Sequence, residues 1–346
     1  MRIAIIAPPW VPVPPPAYGG TENVLDTLAR GLHAAGHDVL LYATGDSTCP
    51  VPTEWTFDEA LGTVETGAAS ELLHAINAYR RILEWGADVV HDHTLVGPVY
   101  SEWLDLPVVT TNHGPFNSEL GPLYRAIHER VPVIAISERH AELALGMQVG
   151  DVIHHGVDID AFPLGDGDGG YAAFLGRMNP DKGVHTAALV AREAGVPLLI
   201  AAKMREPAEH AYFRDRVEPL LTDDVRYIGE IPFAEKVALL RDASCMINPI
   251  AWEEPFGMVI VESMACGTPV VATSFGSTPE LVDEGVTGYL REDIDGLAAA
   301  VALAPGLDRT AIRKVAAERF TSARMAEQHV RLYRRTIAAH RERPAA

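Results

Sequence analysis

The first 165 residues of this 346-residue chain contain no lysine. Their seven arginines stand against 21 acidic side chains, so that stretch carries 7 − 21 = −14 of the total charge of −19 and leaves about −5 to the remainder. A field of that sign repels polyanions, which argues against nucleic acid and anionic lipid surfaces as partners of the first half and leaves room for neutral or cationic molecules; the same charge also serves solubility. Cysteine is scarce: Cys49, Cys245 and Cys266 are odd in number and lack CxxC spacing, so neither a disulfide framework nor a zinc site is indicated and a reducing cytoplasm is expected. Long apolar runs are missing too. The opening MRIAIIAPPW has five consecutive apolar residues before two prolines, too short for a secretory core and far too short for a membrane span, and is expected to be a buried first strand. No internal repeat stands out. No GxGxxG follows a predicted strand, which sets aside a nicotinamide-binding protein.

What is present is an alternation. Apolar runs (RIAIIA, DVLLYA, DVVH, PVVTT, PVIAIS, DVIHHG) are separated by helical patterns, the first from about Thr21 to Ala35, and βαβα order predicts a parallel sheet with helices on both faces. The stretch DAFPLGDGDGG, residues 160–170, is rich in glycine and reads as a domain boundary. A second series follows: YAAFLG, PLLIAA, VRYIG, CMINPI and PVVAT. The expectation is an α/β protein with two doubly wound, Rossmann-like domains, residues 1–160 and 165–320, with a closing helix over 322–341 packed on the first. In such sheets ligands bind beyond the C-terminal ends of the strands, so the loops that follow strands should carry the chemistry, and two facing domains would form a cleft.

The segment EEPFGMVIVESMACGTPVVAT places Glu254 and Glu262 in a strand, turn, helix, strand succession. Glu254 falls in the turn and Glu262 inside a helix starting near Gly257, so at ~1.5 Å rise per residue the carboxylates lie on the order of 10 Å apart along the axis. A hydrolase brackets one bond with two carboxyls roughly 5 to 9.5 Å apart; the wider spacing suits two grips on an elongated ligand such as a nucleotide sugar, its middle facing the helix N-terminus. Gly257 lets the backbone approach closely. Glu254 can accept hydrogen bonds from sugar hydroxyls and Glu262 from ribose hydroxyls, the latter in apolar surroundings formed by Val259, Ile260, Val261, Met264 and Ala265.

After a strand ending at Leu175, GRMNPDKG brings Arg177 and Lys182 into one short loop, where two cations can stabilise the charge that builds on a departing diphosphate without a metal. Gly19 and Gly20 precede a helix expected to be capped by Thr21, where backbone amides can meet a diphosphate or simply form a turn. His91, His93 and His113 each follow a strand-like run. His91, Asp92 and His93 resemble metal ligands, but no further partners stand at diagnostic spacing and no metal is expected. His113, before Gly114 and Pro115, is free to contact a sugar hydroxyl or an acceptor, with a structural histidine as the rival reading. His154 and His155 lie near the boundary, where packing is the simpler role.

With Glu254, Glu262, GRMNPDKG, HHGVD and YGGTE in this order, nearly the whole chain resembles the family 4 retaining glycosyltransferases, PPPAYGGTE resembling one bacterial branch. The resemblance implies the GT-B architecture, with a nucleoside diphosphate sugar held mainly by the second domain and the acceptor by the first, and a metal-independent reaction without cofactor. It implies that Arg177 and Lys182 meet the donor phosphates, that Glu254 and the backbone of Phe256, Gly257, Met258 and Val259 meet the donor sugar and phosphate, that Glu262 meets the ribose, and that His113 is the cleft histidine. Two departures stand out: Ala202, Lys203 and Met204 occupy a place where the family often has a glycine pair, which bears on base recognition, and His155 stands where Asn is frequent.

The expected activity is transfer of a hexose, glucose from UDP-glucose, to a hydroxyl on a small-molecule or glycan acceptor, with retention, by a cytoplasmic protein with no integral membrane segment. A sugar-nucleotide epimerase, a phosphorylase or a non-catalytic sugar-nucleotide-binding protein are the alternatives on the same architecture.

Overall fold

The computed structural model describes residues 1–17, 19–62 and 67–342. Tyr18 of the YGGTE loop lies outside them. The chain divides into two compact units, residues 1–156 with 322–346, and residues 157–321.

The first unit is built on a seven-stranded sheet of β1 (Arg2–Ile6), β2 (Asp38–Ala43), β3 (Thr53–Trp55), β4 (Val89–Asp92), β5 (Val108–Thr111), β6 (Val133–Ala135) and β7 (Asp151–Val152). The order is β3-β2-β1-β4-β5-β6-β7, and every pairing is parallel. Central strands of such a sheet are covered on both faces and read as unbroken apolar runs; Ile3 to Ile6 are accordingly all fully buried. β3, with sequence TEW, carries no such signal because it is a short, polar edge strand. The helix Gly20–Ala34 packs against the closing helix Ser322–Arg341, where a Cβ at Gly31 would stand 3.1 Å from the Ser322 carbonyl oxygen. That closing helix inserts Tyr333, fully buried, into the unit.

The second unit has six parallel strands, β8 (Ala172–Arg177), β9 (Leu198–Lys203), β10 (Val225–Gly229), β11 (Met246–Asn248), β12 (Val270–Ala272) and β13 (Gly288–Leu290), in the order β10-β9-β8-β11-β12-β13. One of them was not legible: β13 is three residues long and starts at Gly288, where any Cβ would sit 2.0 Å from the Val270 carbonyl oxygen. The core centres on Phe174, Ile200 and Ile247 against the helix Val184–Ala194.

Three expectations need correcting. β8 continues past Leu175, because Gly176 and Arg177 pair with Ala202 and Lys203 of β9, so Arg177 belongs to the strand end and not to a free loop. The first helix starts at Gly20 with Gly19 as its cap and no side-chain cap bond; the Gly19 carbonyl already accepts from the Asn23 amide, which leaves Thr21 inside the first turn. The glycine-rich stretch at 160–170 lies within the second unit, where Gly165 donates to the Cys266 carbonyl and Gly169 to that of Asp242, and the units divide ahead of it, between Gly156 and Val157.

In both sheets the order reverses beside the first strand of the unit, between β1 and β4 and between β8 and β11. The loops leaving those strands flank the switch points where open α/β sheets bind ligands. In the second unit the turn after β8, Pro180–Lys182, ends at Gly183, whose φ of 70° is left-handed and whose added Cβ would meet the Pro249 carbonyl oxygen at 2.0 Å. Gly183→Ala is therefore expected to lower the stability of this unit by more than the ~1–2 kcal/mol of the left-handed conformation alone, measured by urea unfolding; an unchanged midpoint would mean that the two loops are not packed as described.

Candidate functional site

The two loops at the second switch point are joined by side chains from both. Asn179 accepts from the Asp181 amide at 2.8 Å and fixes the turn, and the Asp181 carbonyl accepts from the Ala251 amide at 2.8 Å across to the loop after β11. This docking puts Lys182 against Glu254, and its ammonium donates to Glu254 Oε2. The Trp252 indole donates to the same oxygen at 3.0 Å, while its ring lies 4.8 Å from the Lys182 ammonium. The Glu254 carboxylate is thus held by a cation and an indole, and the cation by an aromatic face. The side chains of Lys182 and Glu254 keep 20% and 14% of their exposure, so the pair is partly open to a ligand.

Glu254 is followed by Phe256, buried against Phe320, and by Gly257 at φ 90°, which caps the helix Met258–Ala265. Ser277 holds the Phe256 carbonyl through its hydroxyl and donates its amide to the Glu254 carbonyl at 3.0 Å. Gly276 lies so close that a Cβ would meet the Glu254 amide nitrogen at 2.3 Å. The first-turn amides of the helix at Met258 and Val259 are the kind that bind anionic oxygens.

Glu262 lies on the same helix, buried, and receives Lys236 from the helix Phe233–Asp242 at 2.5 Å. The Lys236 ammonium sits 5.0 Å from the Phe233 ring and 5.7 Å from that of Phe162. Both glutamates singled out in the sequence therefore carry a lysine that rests on aromatic rings.

Arg177 is held differently. Its guanidinium donates to Glu209 at 3.0 and 3.1 Å and to Glu206 at 3.2 Å. Burial alone would raise the Glu209 carboxyl, but the amides of Arg205 and Glu206 and the Arg177 guanidinium outweigh it and hold that carboxyl below its ordinary range.

The first unit has a second cluster, made of imidazoles. His91 bonds the Tyr333 hydroxyl through Nδ1 and Thr111 through Nε2, both at 2.7 Å. His93 Nδ1 meets His113 Nε2 at 2.9 Å, and His113 stacks on His155 with centroids 5.3 Å apart. His329 adds a fifth ring, 5.2 Å from His91. Among the described residues no group of three or more His, Cys, Asp or Glu side chains is placed to hold a metal ion. Burial, reinforced by the neighbouring imidazoles His140 and His329, lowers His113 to about 3. Burial lowers His329 to about 4, and it pulls His91, His93 and His155 well below the usual imidazole value in the same direction. Gly19 lies at the other loop of this switch point, crowded by Pro15 and Glu22, whereas Gly20 has open space around its Cβ position.

Sequence reasoning missed Trp252, Lys236, Glu206 and Glu209. Trp252 stands two residues before Glu254 and its proximity was a usable signal; Lys236 is 26 positions from Glu262 and only the packing of two helices unites them.

Comparisons with known proteins bear on the family and the fold. The family models described as "Glycosyltransferase Family 4" and "Glycosyl transferases group 1" match residues 18–161 and 170–304. The phosphatidyl-myo-inositol mannosyltransferase of Mycolicibacterium smegmatis is 31% identical, over 87% of this chain and 84% of its own. Sucrose-phosphate synthase from Thermosynechococcus elongatus superposes with a TM-score of 0.78 at 24% identity, covering 98% of this chain and 99% of that one. Anabaena HepE, solved in complex with UDP-glucose, gives 0.75 at 20% identity, covering 98% and 100%. The two doubly wound units are those of the GT-B architecture.

The imidazole cluster has a measurable consequence for stability. An unfolded histidine takes its proton near pH 6.5, whereas the folded His329 and His113 do so only near 4 and 3, so below pH 6.5 the unfolded state binds more protons. The contribution of these histidines is expected to be constant above that pH and to fall as the pH drops from 6.5 towards 4, by up to about 1.4 kcal/mol per pH unit for each, against the opposite contribution of the buried Asp92, which burial raises to about 7. Urea unfolding at pH 7.5 and 5.0 checks this; equal midpoints would show that these rings accept protons in the folded state.

Proposed function

Because the chain belongs to the family 4 glycosyltransferases, we propose that it moves a hexose, glucose from UDP-glucose, to a hydroxyl-bearing acceptor with retention at the anomeric carbon and without a metal ion. The observation that carries this reading is the union of Lys182, Glu254 and the Gly257 cap at one switch point. A nucleoside diphosphate sugar lies along it with its diphosphate at Lys182, Arg177 and the first helical amides, its sugar hydroxyls at Glu254, and its ribose hydroxyls at Glu262. The cations supply the positive charge that the departing diphosphate needs, in place of a divalent ion.

A front-face course fits the role given to Glu254. With the Trp252 indole and the sugar hydroxyls on its oxygens, that carboxylate is taken up in binding and not aimed at the anomeric carbon, so a double displacement through it is disfavoured. The acceptor hydroxyl then attacks from the side on which the diphosphate departs, and a phosphate oxygen takes its proton. Recognition of the acceptor falls to the first unit, whose residues 1–156 and 322–346 carry 13 − 21 = −8, which favours a neutral small molecule or glycan.

The named relatives bear on the donor. HepE holds UDP-glucose, and the Mycolicibacterium relative is a mannosyltransferase, which makes mannose the second hexose to test. A calorimetric panel of UDP-, GDP-, ADP- and dTDP-linked glucose and mannose is expected to give one tight donor, UDP-glucose; no binding by any of them would overturn the reading. With the donor in hand, Lys182→Ala is expected to lower kcat by roughly 10²- to 10³-fold, and Arg177→Ala to lower it as well. Normal turnover in both folded variants would remove these residues from the leaving-group site.

A further inference from the structure

We propose that Lys236 is a positioning residue for donor recognition, which fixes the Glu262 carboxylate in the orientation that accepts the two ribose hydroxyls. This rests on the reading of Glu262 given above. A glutamate has freely rotating side-chain bonds, and a carboxylate that must receive two vicinal hydroxyls loses affinity if it has first to be ordered. Glu262 is 6% exposed, and on its own helix Ile260, Val261 and Met264 are fully buried, so water is a poor partner for its charge.

Lys236 supplies that partner from a different helix, 2.5 Å from Oε1. The lysine is itself confined. Its ammonium lies over the faces of Phe233 and Phe162, whose rings meet edge to face at 5.4 Å, and only 13% of its side chain is exposed. Phe162 is in turn buried, with its carbonyl held by Arg313. A lysine walled in this way does not sweep the space that a solvated one does, so the bond it makes defines one carboxylate orientation. A carboxylate offers about four acceptor sites. The lysine takes one on Oε1, which leaves Oε2 and the second site of Oε1 for two neighbouring hydroxyls.

The test is ribose discrimination, measured by calorimetry as the ratio of Kd values for a nucleotide and its 2′-deoxy form, with UDP, GDP and ADP as probes on the full chain. Wild type is expected to prefer the ribonucleotide of its base by roughly tenfold or more. Glu262→Gln should bring the ratio close to one, and Lys236→Met should do the same while thermal unfolding shows it to be folded. Lys236→Arg, which keeps a cation in place, should retain most of the ratio. If Lys236→Met does not fold, Lys236→Gln, which keeps a neutral donor over the rings, carries the test and is expected to lose the ratio. Should Glu262→Gln abolish discrimination and Lys236→Met or Lys236→Gln keep it, the carboxylate needs no lysine and this inference falls. A ratio unchanged in Glu262→Gln would instead overturn the ribose role of Glu262, and the assignment of Lys236 with it.

Discussion

A carboxylate withdrawn from water must find a cation, and in this protein Glu254 and Glu262 each find a lysine from a distant stretch of chain. The arrangement is economical in geometry but demanding in energy. Desolvating both members costs several kcal/mol per ion, and deleting one strands the other, at about 3–5 kcal/mol. The cost is met in part by aromatic faces, Trp252 under Lys182 and Phe233 with Phe162 around Lys236. At the Lys182–Glu254 pair a ligand that brings its own phosphates and hydroxyls can replace each partner, whereas the Lys236–Glu262 pair keeps acceptor sites open beside its bond.

The Lys182–Glu254 pair is placed by the reversal of strand order between β8 and β11. Two loops leave the sheet at the same edge and are brought into contact by residues without side-chain bulk. Gly183 lies against the Pro249 carbonyl, Gly276 against the backbone of Glu254, and Gly257 turns the chain into the helix that carries Glu262. The glycines and this ion pair are thus one construction: without the close approach of backbones, the Lys182 ammonium does not reach Glu254.

The fold was legible because burial on both faces of a parallel sheet leaves a pattern that needs no partner to be seen. β1, β2 and β8 to β12 announce themselves by apolar runs, whereas β3 and β13 are short edge strands without that pattern. The same division holds at the site. Glu254, Glu262 and Lys182 were visible because they lie in ordered local spacing around a turn and a helix. Lys236, and the Glu206 and Glu209 that engage Arg177, were not, because their partners lie 26 to 32 positions away and are joined only by packing. Arg177 looked like a loop cation for the same reason: its place at the end of β8 depends on pairing with Lys203, which no local pattern records. The imidazole cluster was half visible, since His91 lies in β4 and His93 and His113 come just after β4 and β5, but its closure by Tyr333 and His329 comes from the far end of the chain.

The central claim is that the lysine–glutamate pair at the second switch point gives way to the diphosphate of a sugar nucleotide. A crystal structure of the chain with UDP-glucose tests it most directly. The claim predicts a phosphate oxygen within hydrogen-bonding distance of the Lys182 ammonium, about 3 Å, with the sugar hydroxyls on Glu254 and the ribose on Glu262. A nucleotide bound at any other place, with Lys182 still closed on Glu254, would contradict it.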